Sequence, residues 1–155
     1  MGKESLEIQK TLKAIGNLDY VEVRHVPMKR YPGYGDSVDA QVQKDIEQMV
    51  AREIILQRLP VRGIEVEYFR GIFAMSQRDF AKRLGMSHVT ILKWEKAQTK
   101  PLDLVNEVAV KVLMAGMLGL KVPASLDTLT GLGPTPKKLT LDYVPRSEKP
   151  RKRAA

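Results

Sequence analysis

Residues 77–96 include side chains that can hydrogen-bond to phosphates or to the edges of nucleic-acid bases. Gln77 offers an amide, His88 an imidazole and Lys93 an ammonium group. A lysine can donate to guanine O6 or N7, and an apolar methyl can contact the methyl group of thymine. Each residue taken alone is equally consistent with a solvated surface, so the prediction depends on how the chain positions them together.

Two serines place these side chains at the beginnings of two predicted helices. Ser76, followed three residues later by an acid, resembles a capping box and predicts a helix over QRDFAKRL that ends at Gly85. Ser87 caps the next predicted helix, HVTILKWEKA. Apolar spacing predicts the inward positions of both helices: Phe80, Ala81 and Leu84 in the first, and Val89 or Thr90, Ile91 and Trp94 in the second.

Two short helices joined by a tight glycine-containing turn are typical of a helix-turn-helix. In that motif the first helix crosses the DNA backbone, and the second lies in the major groove with its N-terminal residues at the base edges. Free N–H groups at the start of the first helix also attract phosphate. We therefore predict contacts with duplex DNA from one group of residues: Gln77, Arg78, Ser87, His88, Val89, Thr90, Leu92, Lys93 and Lys96.

The run MSQRDFAKRLGMSHVTILKWEKA, residues 75–97, resembles the Xre/Cro-type helix-turn-helix family. The family pattern is a small or Ser/Thr cap, Gln, an acid, Leu/Phe-Ala, Leu-Gly-hydrophobe-Ser and Ile-x-x-aromatic-Glu, and every element is present at the same spacing. Ala97 stands where a glycine often follows. The resemblance implies a lambda-repressor-like bundle, a structural role for Glu95, and DNA contacts at four positions: Gln77, His88, Val89 and Lys93.

A looser resemblance covers the segment before this motif. A strand containing Val-Pro, then a long helix, then GIEVEYFR, is similar to MqsA/HigA-type antitoxins. Many of these carry a Cys-x-x-Cys zinc site where residues 31–35 here read YPGYG. The resemblance implies an autoregulating antitoxin whose partner is a small ribonuclease-type toxin, with an N-terminal segment that folds without metal.

Composition excludes several classes of function. The chain has 155 residues and a net charge of +8. Because it contains no cysteine, it has no disulfide, no cysteine metal site and no thiol catalysis. The positive charge favours nucleic acid as a partner, with a membrane surface or an inert basic tail as alternatives. We expect no cofactor, no metal and no enzymatic activity, because paired histidines and nucleophile motifs are absent. Glu65 and Glu67 are interpreted as solvated helix residues.

The remaining patterns predict a mainly α protein with a small N-terminal α/β segment. Ser37 is the expected cap of the helix over 38–59, and Pro60 its expected end. The helix over 102–120 is apolar on nearly all sides, which indicates either core or a subunit interface. The other predicted elements are a short helix over 4–15, a strand over 20–26 and a turn over 31–36.

Composition changes at Pro123, where a basic and flexible tail is predicted to begin. Within it, residues 139–144 alternate and predict a strand or a segment that folds on a partner. We expect a cytoplasmic protein without membrane contact that forms a homodimer. The predicted domains are 1–60 for dimerisation or partner binding, 61–122 for the helix-turn-helix, and 123–155 for the tail.

Overall fold

The computed structural model describes residues 4–121 and 129–145. In these ranges the chain forms a four-stranded sheet and five helices. The strands are β1 (Leu6–Lys13), β2 (Val21–Tyr31), β3 (Gly35–Ser37) and β4 (Leu139–Asp142), and a 3₁₀ turn (Ile15–Asn17) follows β1. The helices are α1 (Ala40–Leu56), α2 (Gly63–Ile72), α3 (Gln77–Leu84), α4 (His88–Lys96) and α5 (Leu104–Leu118).

The first element is a strand, so the prediction of a helix over 4–15 is wrong. β1 pairs antiparallel with β2, with Ile8 opposite Met28 and Leu12 opposite Val23. The apolar residues of β1 fit a period of two as well as a helical spacing, and pairing with a neighbouring strand decides between them. β3 continues the sheet antiparallel along the end of β2, which makes β2 the central strand.

The strand predicted over 20–26 is confirmed and extends to Tyr31. Val21, Val23 and Val26 are all buried, although strict alternation would turn Val26 outward. The register of β1 against β2 shifts at this point, and His25 adopts a positive φ of 60°. The extra residue is a β-bulge, and it returns Val26 to the core face of the sheet.

Helix α1 confirms the helix predicted over 38–59, but its cap is Asp39 rather than Ser37. The Asp39 carboxylate accepts a hydrogen bond from the Gln41 N–H at 3.3 Å. Ser37 is wrong as a cap because it belongs to β3 and pairs with Lys29. The buried face of α1, which includes Ile46, packs against β2 and α5.

Glu65 joins α2 to Tyr20, the residue before β2, so its interpretation as a solvated residue is wrong. Its side chain is fully buried and accepts hydrogen bonds from the Arg62 guanidinium at 2.8 and 2.7 Å. The Tyr20 hydroxyl donates to the same carboxylate at 3.0 Å. Burial and the adjacent Glu65 carboxylate raise the pKa of Tyr20 well above its usual range, so this phenol remains a donor.

The helix predicted over 102–120 is confirmed as α5, and it holds the returning chain through two buried charges. Lys111 Nζ donates to the Leu129 carbonyl at 2.9 Å, and Glu107 accepts from the backbone N–H of Gly131 and of Val61. Burial lowers the pKa of Lys111. The neighbouring Glu107 carboxylate acts in the opposite direction and partly offsets this shift.

The prediction that the tail does not pack is wrong for residues 129–145. Leu139 and Leu141 of β4 are buried, and β4 pairs parallel with the start of β2. The predicted strand within 139–144 is therefore confirmed. Arg24 on β2 donates two hydrogen bonds to Asp142 at 2.8 and 3.1 Å. The other parts of the predicted tail, residues 123–128 and 146–155, lie outside the described residues.

Candidate nucleic-acid interface

Local hydrogen bonds set the beginnings of α3 and α4 where the sequence predicted them. The Ser76 hydroxyl accepts from the Asp79 N–H at 3.0 Å, and the Ser87 hydroxyl accepts from the Thr90 N–H at 3.4 Å. Gly85 ends α3 with a φ of 69°, a conformation that costs a glycine little. Two predicted caps and one predicted helix end are thereby confirmed.

The inward faces of the two helices form one buried cluster. Phe80, Ala81 and Ile91 are buried, and Trp94 and Leu84 are half-buried beside them. Of the two residues that the spacing left open, Val89 is 45% exposed and faces outward. Thr90 is half-buried, and its hydroxyl lies 3.2 Å from the Ser87 hydroxyl.

A partly buried polar network ties α2, α3 and α4 together through Glu95. Arg70 on α2 donates to both oxygens of Glu95 on α4 at 2.9 and 2.8 Å, and to the Met75 carbonyl at 3.0 Å. Gln77 on α3 donates its amide to the same carboxylate at 3.1 Å. The hydrogen bonds that Arg70 donates to the Glu95 carboxylate raise the pKa of the guanidinium, so Arg70 stays charged. The network therefore fixes the angle at which α4 is presented.

Sequence reasoning named Glu95 as a structural acid but missed its partner. Arg70 lies before the 75–97 run, and helical spacing within α2 does not reveal a contact with α4. Gln77, predicted to contact phosphate or base, is part of this network. One of its two amide N–H groups bonds Glu95, and the other remains for a ligand.

The outward face of α4 carries most of the other predicted contact residues. Val89, Lys93 and Lys96 are exposed, whereas His88 and Leu92 are half-buried. Glu95 is the sole acid in the sequence of α4, and Arg70 neutralises it. The outward face is therefore cationic and suited to an anionic ligand.

Two other predicted contact residues lie at the beginnings of the helices. Ser87 precedes α4 and Arg78 lies in the first turn of α3, and both are exposed.

In the described ranges, no group of three His, Cys, Asp or Glu side chains is arranged to hold a metal ion.

Comparison with known families bears directly on this segment. Residues 70–104 match the helix-turn-helix family model. The helix-turn-helix match begins at Arg70, the residue that holds Glu95, and includes all of α3 and α4. It confirms the Xre/Cro-type resemblance, and this family consists of DNA-binding regulators.

No curated protein and no solved structure matches the chain, so the likeness to MqsA/HigA-type antitoxins stays a prediction. Among the described helices, none is both long enough and apolar enough to cross a membrane.

Proposed function

We propose that this chain represses transcription by binding a specific duplex-DNA operator as a homodimer, with α4 in the major groove. One observation supports the proposal above the others. The Arg70–Glu95–Gln77 network fixes α4 against two other helices while Val89 and Lys93 remain exposed on it. A rigid helix with an exposed cationic face meets the geometric requirement for reading base edges.

The proposed roles follow from position along the two helices. His88 and Val89 lie in the first turn of α4, the end that reaches base edges in this motif. Lys93, one turn further on, donates to guanine O6 or N7. Three residues complete the base-reading face of α4: Thr90, Leu92 and Lys96.

Phosphates are held from the helix beginnings. At the start of α3 the N–H groups of Gln77 and Arg78 have no acceptor within the helix, and Ser87 adds a hydroxyl at the start of α4. Contacts of this kind orient a protein on DNA without reading its sequence. Two copies related by a two-fold axis match a palindromic operator, which is why we propose a homodimer.

The experiment begins with selection of the preferred site from a random DNA pool. Affinity for that site and for a scrambled duplex is then measured across a range of salt concentrations. We expect a palindromic site that is bound far more tightly than the scramble. Lys93→Ala and His88→Ala should each cost roughly 1–3 kcal/mol of specific binding and relax base preference at one position.

Lys44→Ala is the matched control, because Lys44 is an exposed cation on α1, away from the motif. It should leave operator specificity unchanged. Unchanged specificity in both α4 variants would refute the base-reading assignment. Equal and strongly salt-dependent binding to both duplexes would favour the alternative function, a general nucleic-acid or protein-interaction module.

A second proposed role concerns the part of the chain outside the family match and rests on its likeness to MqsA/HigA-type antitoxins. Residues 4–69 form three of the four strands, α1 and most of α2, and the helix-turn-helix model does not account for them. We propose that this part holds a small ribonuclease-type toxin, which would make the protein an autoregulating antitoxin. Co-expression with the product of the adjacent gene tests this, and failure of the two proteins to co-purify would contradict it.

A further inference from the structure

Strand β1 forms an edge of the sheet. In the part of the chain that the structure describes, β1 pairs with β2 on one side and with no strand on the other. It is eight residues long and contains neither proline nor glycine. Leu6 at its beginning is 58% exposed. An open edge of this length is a template for pairing with another strand.

The register of β1 against β2 indicates which backbone groups face that open edge. Antiparallel strands alternate between hydrogen-bonded and non-hydrogen-bonded pairs. Gln9 lies opposite Pro27, which has no N–H to donate. This favours a non-hydrogen-bonded pair, in which Gln9 directs its own N–H and carbonyl to the open edge. Glu7, two residues away, does the same by alternation.

The side chains of β1 are self-complementary when a second copy is placed antiparallel about Lys10. On the solvent face, Glu7 then lies opposite Lys13 of the second copy, and Gln9 lies opposite Thr11. On the core face, Ile8 lies opposite Leu12 of the second copy. The two-fold axis repeats each of these pairs, so one arrangement supplies two ion pairs and two apolar pairs.

One further observation removes an objection to this register, and another supports it. Lys10 would meet itself at the axis, but its charge is already bound to Asp36 at 2.9 Å. A cleft of about 460 Å³ lies beside Ile8 and Met28, between the β1–β2 hairpin and the start of α1. Leu12 of the second copy would lie at the open side of this cleft and cover its apolar wall.

We infer that β1 pairs with β1 of a second copy about a two-fold axis at Lys10, which makes the sheet continuous across a homodimer. The inference rests on the proposed homodimer and names its surface. It does not depend on DNA, so it is tested without DNA.

The absence of cysteine allows a direct cross-linking test on the full chain. In the inferred register, Lys10→Cys places two thiols in one non-hydrogen-bonded pair, where the strands approach closely enough for a disulfide. We expect a disulfide-linked dimer as the main product of mild oxidation. Thr11→Cys is the matched control, because Thr11 faces Gln9 rather than itself, and it should cross-link poorly.

A charge swap tests the same register by sedimentation. Glu7→Lys or Lys13→Glu alone should weaken self-association roughly three- to thirty-fold, and the double variant should restore it. Within one chain Glu7 lies opposite Lys29, and Lys13 lies opposite Glu22. The double variant keeps both intrachain clashes, so recovery of the dimer can come only from pairing between copies.

Three outcomes would overturn the inference. If the protein is a monomer at all concentrations, the proposed homodimer itself is refuted. A dimer in which Lys10→Cys cross-links no better than Thr11→Cys leaves the homodimer but refutes the β1 surface. A dimer that cross-links instead through Val112→Cys would assign the interface to the exposed face of α5, where Val112 is 48% exposed.

Discussion

Glu95 is almost completely buried, and Arg70, its charged partner, is partly open to solvent. The exposed fractions of the two side chains are 5% and 21%. Ionised carboxylates in such surroundings persist only with a paired cation and satisfied hydrogen bonds. Loss of the cation is therefore more damaging than loss of the anion, because the guanidinium can still reach water.

This asymmetry predicts unequal effects of two substitutions. Arg70→Ala should destabilise the fold by about 3–5 kcal/mol, since it leaves a buried carboxylate unpaired. Glu95→Gln should cost less, because the amide keeps a hydrogen bond and Arg70 remains partly hydrated. Urea unfolding followed by circular dichroism measures both values. Equal losses in the two variants would show that burial of Glu95 is not the determining factor.

Asp36 makes the free energy of unfolding depend on pH in acid. Hydrogen bonds from Arg30 and Lys10 hold the pKa of Asp36 well below its usual range. The unfolded state then binds the proton more readily, so this stabilisation is present above the ordinary pKa of about 3.9 and is lost as pH falls below it. Asp36→Asn should flatten the acid side of the stability profile. A variant that loses stability in acid as steeply as the parent would contradict this.

At the scale of elements, the beginning of α2 lies directly against the end of α4. A β-carbon on Gly63 would lie 1.8 Å from the Trp94 carbonyl oxygen, a rigid backbone atom. This contact is the reason for glycine at that position, since its backbone has no positive φ. The approach of α2 to α4 therefore helps to set the position of α4.

Two glycines in α2 provide a matched pair for testing that approach. Gly63→Ala should destabilise the protein and weaken operator binding, because the methyl group must push α4 away. Gly71→Ala, where a β-carbon meets nothing within 4 Å, should instead stabilise by up to about 1 kcal/mol. Thermal unfolding and operator titration report both effects. Similar behaviour of the two variants would exclude a steric role for Gly63.

The elements that the sequence predicted well are those with local determinants. Ser76, Ser87 and Gly85 act on backbone groups within a few residues, so the boundaries of α3 and α4 follow from short-range chemistry. β1 was predicted wrongly because its state depends on β2, with which it pairs through residues up to 24 positions away. The cap of α1 is Asp39 rather than Ser37 because Ser37 pairs within the sheet as the last residue of β3, which is also a contact between elements.

At the scale of the whole molecule, the returning chain joins the sheet to the helices. Residues 129–131 are held by Lys111 and Glu107 of α5, and β4 then enters the sheet beside β2. The sheet and the helix-turn-helix therefore share one core, and we expect them to unfold together.

Leu141→Ala tests this coupling. Leu141 lies on β4, far along the chain from Trp94, the single tryptophan. The variant should lose about 2–5 kcal/mol, and Trp94 fluorescence and far-ultraviolet circular dichroism should report the same shifted transition. If the Trp94 transition stayed in place while the circular dichroism shifted, the sheet and the helical part would be independent units.

The helix-turn-helix and its caps could be predicted from the sequence, because those features depend on side chains acting over three or four positions, whereas the same spacing left open which of Val89 and Thr90 faces outward. Tertiary structure alone decided that Arg70 is the partner of Glu95, that Glu65 is buried with Tyr20, and that residues 139–142 complete the sheet. These contacts join residues 25 to 118 positions apart. Local periodicity contains no information on such pairings, since burial between elements determines which partners meet.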